Sequence, residues 1–401
     1  FDDIVSLDMG GTSTDVSLAT GGRARIRGDA TISEYPVKIP IMDIVTIGAG
    51  GGSIAYVSSS GALHVGPRSA GANPGPVCYD LGGEEVTVTD ANLVLGRLSP
   101  HLAGGEIEVN VDKAHAAMER LARQVGLPPL ELAQGILTIV NEKMLGALRV
   151  VSVQRGHDPR DFVLISFGGA GPMHSGELSR LLTMRRTLIP PTPGVLSAVG
   201  ALVSDITCVF GKTILQPAAR VDLDSLNQAL STLTRQAEQW LAAEGVSPEE
   251  RRIQCGAELR YVGQASEVMV ASFQSLSPEL LQETIEAFHR EHRRLYGFDW
   301  EGQVPVELVA CKVTGVGLLH KSEMLAWDVP DGTPADARTR CRPVFFDGES
   351  VDTVCYDRRL LAPGSVVPGP AIVEQTDCTT VILPGQAATV DRFLNLVVEE
   401  C

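Results

Sequence analysis

Two carboxylates bracket a glycine and hydroxyl turn near the start of the chain, Asp8-Met9-Gly10-Gly11-Thr12-Ser13-Thr14-Asp15. Gly10 and Gly11 let the main chain approach an anion without Cβ hindrance. Thr12, Ser13 and Thr14 add hydroxyl donors. Asp8 and Asp15 would repel a phosphate unless a magnesium ion or a nucleophilic water lies between. The combination points to phosphate handling. The plainer alternative is a polar hairpin tip, because a short glycine motif alone is a weak signal.

The flanking residues say what positions this turn. Ile4-Val5-Ser6-Leu7 reads as a buried strand and Val16-Ser17-Leu18-Ala19 as a second, so the turn is expected at the tip of a β-hairpin. A second glycine turn lies far along the chain. The apolar run Phe162–Phe167 enters Gly168-Gly169-Ala170-Gly171-Pro172, and Met173 to Leu182 reads as a helix. Strand, glycine turn, helix lets a ribose or adenine pack against backbone at a helix amino terminus. The alternative is a tight strand-to-helix connection. His174, just inside the helix, is a candidate acid–base group or a capping and packing residue.

These stretches resemble the hydantoinase/oxoprolinase family, within the actin-like ATPase superfamily. The hairpin sequence carries the likeness first. It continues at Thr46–Ala55, at Ser69–Pro76, at Thr87–Asn92, at Phe167–Pro172 and at Gly369–Glu374. The resemblance therefore covers nearly the whole chain. It implies an actin-like (ribonuclease H-like) α/β ATPase lobe over 1–205, followed by an α+β domain over 206–329 and a β-rich C-terminal domain over 330–401. It implies ATP and magnesium as cofactors, with Asp8 holding magnesium-bound water or orienting the phosphoryl group, and Asp15 as its catalytic neighbour. Gly10, Gly11, Thr12, Ser13 and Thr14 would cradle phosphate. Gly168, Gly169, Ala170 and Gly171 would admit the nucleoside. The implied activity is ATP-dependent hydrolysis of a hydantoin or 5-oxoproline type cyclic amide, with a B-type partner subunit. An ATP-dependent ketone carboxylase subunit shares the same motifs. The rival of another class is a non-catalytic nucleotide-binding or assembly module. Family members carry a first phosphate hairpin in an amino-terminal lobe. Only one such hairpin occurs here, so a separate lobe is expected to complete the site, and the chain alone is expected to be inactive.

Bulk properties agree with an enzyme. The chain has 401 residues, 44% hydrophobic and 20% charged, so two or three domains are expected. A net charge of −16 argues against nucleic-acid or anionic-membrane partners. No apolar run approaches the roughly 20 residues that span a bilayer. Eight cysteines include no Cys-x-x-Cys pair, which reads as a reducing cytoplasm without a zinc knuckle.

The remaining segments are read in order. Arg23–Ile26 is a candidate strand, and Tyr35–Pro40 is extended because of its prolines. Four glycines in residues 48–52 imply either close backbone packing or a loop facing a ligand. Cys78 is expected as a buried small hydrophobe. Asp80 stands where the family carries glycine, which puts the local turn in question. Helices are expected over Asp112–Val125 and Pro129 to about Val153, the latter with Leu130, Ile136, Val140, Met144 and Leu148 on its apolar stripe. Asn141 and Glu142 are expected on a solvated face. In the α+β segment, helices are expected over Val221–Glu244 and Pro278–Tyr296, with strands between and after. His289 and His292 share a helix face and are expected to be solvated rather than to bind metal.

Overall fold

The computed structural model describes residues 1–27, 30–32, 35–37, 41–273, 275–321, 325–327 and 334–401. The expected extension of Tyr35 beyond Val37 lies outside them. The chain divides into two compact units, Phe1–Ala198 with Met324–Cys401, and Val199–Glu323.

The first unit is built on a nine-stranded sheet. It contains the expected hairpin, β1 (Ile4–Met9) and β2 (Thr14–Thr20), paired antiparallel. Alternation decides the faces of β1: Val5, Leu7 and Met9 are buried, while Ile4, Ser6 and Asp8 are half-buried on the other face. Ile44–Ile47 adds to β2, and Val163–Phe167 runs parallel to β1. Arg186–Ile189 follows in parallel, so the sheet passes from hairpin to crossover strands.

Helices cover the face of Leu7 and Met9. They are α1 (Val88–Val94), α2 (Val111–Val125), α3 (Pro129–Val151) and α4 (Gly171–Leu182), and their apolar residues share one core with that face. In α3 the buried stripe runs through Ile136, Val140, Met144 and Leu148 as expected, but it is Leu132 that is buried in the first turn, while Leu130 is exposed. The short α5 (Leu196–Val203) follows.

The C-terminal residues differ from expectation. They do not form a unit of their own. Leu396–Glu400 pairs with Arg186–Ile189, and Gln386–Val390 and Val366–Pro368 continue the same sheet outward. Their inward side chains Val367, Ala388, Val390, Leu396 and Val398 are buried with Ile189. Four further strands, Arg338–Phe346, Glu349–Asp357, Ala371–Glu374 and Thr379–Ile382, make a separate sheet in the same unit.

The second unit is the expected α+β arrangement. A four-stranded antiparallel sheet packs its apolar residues with those of α6 (Leu223–Ala243) and α7 (Pro278–Tyr296). His289 and His292 are buried rather than solvated. His289 Nδ1 lies 2.7 Å from the Tyr261 hydroxyl, and His292 is bonded to the Phe298 carbonyl and the Gln264 amide. Stacked and edge-on rings of Tyr261, Phe288 and Trp300 surround them, and three of the four ring nitrogens are hydrogen-bonded within this unit. No helix among the described residues is long and apolar enough to cross a membrane.

Candidate active site

The hairpin tip is held from beneath by the 48–52 glycine cluster. Gly51 and Gly52 donate their N–H groups to the carbonyls of Gly10 and Gly11 at 3.0 and 2.6 Å. A Cβ on Gly50 would stand 2.6 Å from Thr12 N, and one on Gly52 would stand 2.9 Å from Gly11 O. Close backbone packing is therefore what these glycines serve. The carbonyls being tied below, the N–H groups of Gly11, Thr12 and Ser13 bond to none of the described residues. A Cβ at Gly10 or Gly11 would meet nothing within 4 Å. The tip thus offers open backbone donors, the geometry of an anion nest.

Not every hydroxyl of the turn joins it. Thr14 is fully buried and donates to Ala49 O at 2.6 Å, so it anchors the tip from inside instead of facing a phosphate. The Gly10 N–H is likewise used within the turn, on Ser13 O at 3.1 Å.

Asp8 and Asp15 stand directly opposite each other in the β1–β2 ladder. Asp8 accepts from the Ser197 hydroxyl at 3.0 Å, and Asp15 from Thr46 at 2.5 Å. Partial burial pushes the Asp8 carboxyl above its ordinary value, the Ser197 bond opposes this, and the Asp15 charge adds to it. Among the described residues no three His, Cys, Asp or Glu side chains gather as a metal site. Two carboxylates without a third suit a magnesium ion that takes its other ligands from phosphate and water.

The second turn abuts the first. Gly168 has φ +78°, and a Cβ there would lie 2.4 Å from Met9 O and 2.5 Å from Asp8 Oδ1. The Gly168 N–H donates to Pro193 O, and the Ala170 N–H to Met9 O, both at 2.9 Å. Gly171 opens α4, whose first turn has no side-chain cap. A Cβ on Gly171 would sit 3.0 Å from Ser166 Oγ, so this glycine serves close packing on the strand.

A cavity of about 680 Å³ lies against both turns. Gly10, Gly11, Gly169 and Ala170 form part of its wall, with Gly51 and Thr89 between them. Asp8 and Asp15 are not wall residues, nor are Thr12, Ser13, Thr14, Gly168 or Gly171. Asp8 is two residues from Gly10 and against Gly168, with Asp15 opposite it in the ladder. An apolar side is made by Leu98, Leu102, Ile107 and Met173, and a polar side by Arg340 and residues 374–379.

His174 is elsewhere in function. It is fully buried, with Nδ1 2.8 Å from Asn141 Oδ1. Burial, with the Arg97 charge adding to it, pushes its pKa down to about 3. It is a neutral core histidine, and the acid–base role is not supported by its position. Asn141, expected on a solvated face, is buried as its partner, while Glu142 is exposed. Cys78 is buried as expected. Asp80 adopts φ +59°, the conformation a glycine takes without strain, and its carboxylate holds Lys113 and Asn110.

Several wall and border residues carried no motif signal. Ser197 is one, since a serine in an apolar octapeptide has no distinctive neighbours. Arg340, Gln375 and Asp377 are others. Thr89 lies in the Thr87–Asn92 stretch, whose physical role is now visible. Thr87 caps α1, and buried Asp90 accepts from the backbone N–H groups of Thr87, Cys78 and Val77.

The antiparallel hairpin and the parallel crossover strands beside it belong to an actin-like α/β fold. Comparison with known proteins places it further. The hydantoinase/oxoprolinase profile matches residues 1–208, and the hydantoinase/oxoprolinase C-terminal domain profile residues 217–400. The chain belongs to the hydantoinase/oxoprolinase family. The caprolactamase subunit alpha of Pseudomonas jessenii is 37% identical over 97% of this chain and 57% of its own length. An uncharacterized Methanocaldococcus jannaschii protein is 37% identical over 99% of this chain and 58% of its own. The 5-oxoprolinase 1 of Arabidopsis thaliana is 30% identical over 99% of this chain and 32% of its own. Among solved structures, nucleotide-free acetone carboxylase gives a TM-score of 0.86 at 25% identity, covering 100% of this chain and 59% of its own. The Pseudomonas jessenii ATP-dependent caprolactamase gives 0.80 at 36% identity, with the same coverage. The chain thus spans little more than half the length of the first two relatives.

Proposed function

We propose that the cavity binds ATP and that the protein is the ATPase component of an ATP-dependent cyclic-amide hydrolase. One observation carries the reading: two glycine turns far apart in sequence wall a single cavity, and the strands that carry the first turn hold Asp8 and Asp15 opposite each other. The phosphates lie on the Gly10–Gly11 tip, within reach of the Gly11, Thr12 and Ser13 N–H groups, and the nucleoside on Gly169 and Ala170. Asp8, with Asp15 behind it, would hold magnesium, which supplies positive charge against the phosphates. Ser197 and Thr46 fix the two carboxylates. An amide oxygen attacks the γ-phosphorus and the bond to the ADP oxygen breaks. This leaves an O-phosphorylated imidate whose ring carbon is electrophilic. Water adds to that carbon, the ring C–N bond breaks with the nitrogen leaving as the protonated amine, and a second water releases phosphate from the resulting acyl phosphate.

The names of relatives support a partner subunit. Caprolactamase subunit alpha and acetophenone carboxylase gamma subunit are both components of larger assemblies by name. We take a B-type subunit as the partner here. The likeness to acetone carboxylase favours a second reading, in which ATP activates a ketone and bicarbonate. The discriminating experiment is phosphate release by the full-length protein with its partner. Hydantoin, 5-oxoproline and ε-caprolactam are tested beside acetone, with and without bicarbonate. Lactam-stimulated release independent of bicarbonate supports the first reading. Release that needs ketone and bicarbonate together supports the second. A protein that binds ATP analogue but releases no phosphate under any condition is a binding module, the reading that the paired carboxylates disfavour.

A further inference from the structure

Part of the polar wall of the cavity is contributed by the turn between Ala371–Glu374 and Thr379–Ile382, and this turn is built to a fixed position. Asp377 accepts the Gly194 N–H on Oδ2 at 2.7 Å and the Gln375 amide on Oδ1 at 2.6 Å. The same Gln375 Nε2 donates to Pro191 O at 3.1 Å. One residue away, Pro193 O accepts the Gly168 N–H. Residues 191–194 therefore tie the C-terminal turn and the second glycine turn to one another. The result is close approach: a Cβ at Gly169 would stand 3.5 Å from Asp377 O.

Within this arrangement one polar atom is left over. Two acceptors fix Nε2 of Gln375, so the orientation of its amide is set. Its Oε1 is buried with no partner among the described residues, although Gln375 lines the cavity. A buried acceptor without a donor is costly unless something supplies one.

We propose that the 374–379 turn is a nucleoside-binding element of this cavity, in which Gln375 Oε1 accepts a hydrogen bond from the bound nucleoside and Asp377 positions Gln375. This rests on the ATP reading above and assigns the recognition of the nucleoside to the C-terminal segment. A group laid on the Gly169–Ala170 backbone shares the cavity with the side chains of Met173 and Leu98 and with this turn. Its donors are the exocyclic amine of adenine and the ribose hydroxyls, both absent from the phosphate chain.

The test compares ligands with and without a nucleoside on the full-length protein. Calorimetric titration measures a non-hydrolysable ATP analogue and magnesium tripolyphosphate against wild type, Gln375→Leu and Asp377→Ala. The expected result is a loss of about tenfold or more for the ATP analogue in both variants, with tripolyphosphate affinity within about twofold. Inosine and 2′-deoxyadenosine triphosphates then show which donor is read, since the ligand lacking it binds wild type and Gln375→Leu alike. Unchanged affinity for the ATP analogue in Gln375→Leu overturns the proposal and leaves the ATP reading intact. Equal loss of both ligand types overturns it too, by showing that the turn only supports the fold. If wild type binds tripolyphosphate but no nucleotide, the ATP reading itself falls, and this inference with it.

Discussion

Asp8 and Asp15 face each other across the β1–β2 ladder, each engaged by one hydroxyl, Ser197 on Asp8 and Thr46 on Asp15. Like charges directly opposed on an antiparallel pair are unfavourable by about 0.2–1 kcal/mol. A fold with no use for a cation beside an anion nest would gain by replacing one of them. Asp8→Asn should therefore leave thermal stability equal or slightly raised while lowering ATP-dependent turnover by a factor of about 10² to 10⁴. Phosphate release and a melting curve on the same sample check both halves. Wild-type turnover in the variant would remove Asp8 from the chemistry.

Adjacent glycines in the second turn should respond differently. Gly168→Ala places a Cβ on Met9 O and Asp8 Oδ1 at a φ of +78°, so it should cost more than 1 kcal/mol of stability. Gly169→Val meets only Asp377 O, at an ordinary 3.5 Å for its Cβ, and should fold. Its larger branched side chain enters the cavity wall and should weaken binding of an ATP analogue. Calorimetry and melting curves on the two variants separate the roles, and identical behaviour would contradict the assignment.

His174 gives the fold a pH dependence. Its pKa is about 3 in the native chain against 6.5 when exposed, so between these values the unfolded state binds the extra proton. Stability therefore rises with pH in that window. It falls as pH drops below about 6.5, with a limiting slope of about 1.4 kcal/mol per pH unit. Denaturant unfolding of wild type and His174→Gln from pH 7 to pH 4.5 measures it. The wild-type curve should fall more steeply, and parallel curves would show that His174 does not contribute. Because the imidazole does not reach the cavity, turnover of His174→Gln near pH 7 should stay within about tenfold of wild type, far from the loss expected for a catalytic base.

Asp90 is structural and close to the site. Asp90→Ala removes the acceptor for three backbone N–H groups and one hydroxyl. Stability should drop by about 2–4 kcal/mol, from several buried donors left unpaired at once. Thr89, whose hydroxyl donates to Gly51 O at 2.9 Å, should lose its position, so nucleotide affinity falls as well. Chemical denaturation gives the first quantity and analogue titration the second.

The sequence by itself determined the local elements that carry the site. Alternating apolar residues and a glycine turn specify β1, β2 and the tip, since strand period and turn chemistry are encoded within a few residues. The same holds for the strand and glycine turn leading into α4, and for the buried stripe of α3. Motif content also made the family legible. Tertiary structure alone decided which of these side chains face the cavity. Thr14 and His174 belong to polar stretches, yet packing turns them inward, because a one-residue change of facing is invisible in composition. It alone brought Ser197 to Asp8, and it alone wove Val366–Pro368, Gln386–Val390 and Leu396–Glu400 into the central sheet. The pairing of Leu396–Glu400 with Arg186–Ile189 joins residues more than two hundred positions apart. The specificity of these pairings lies in edge-strand hydrogen bonds and shared burial, which no short stretch of sequence contains.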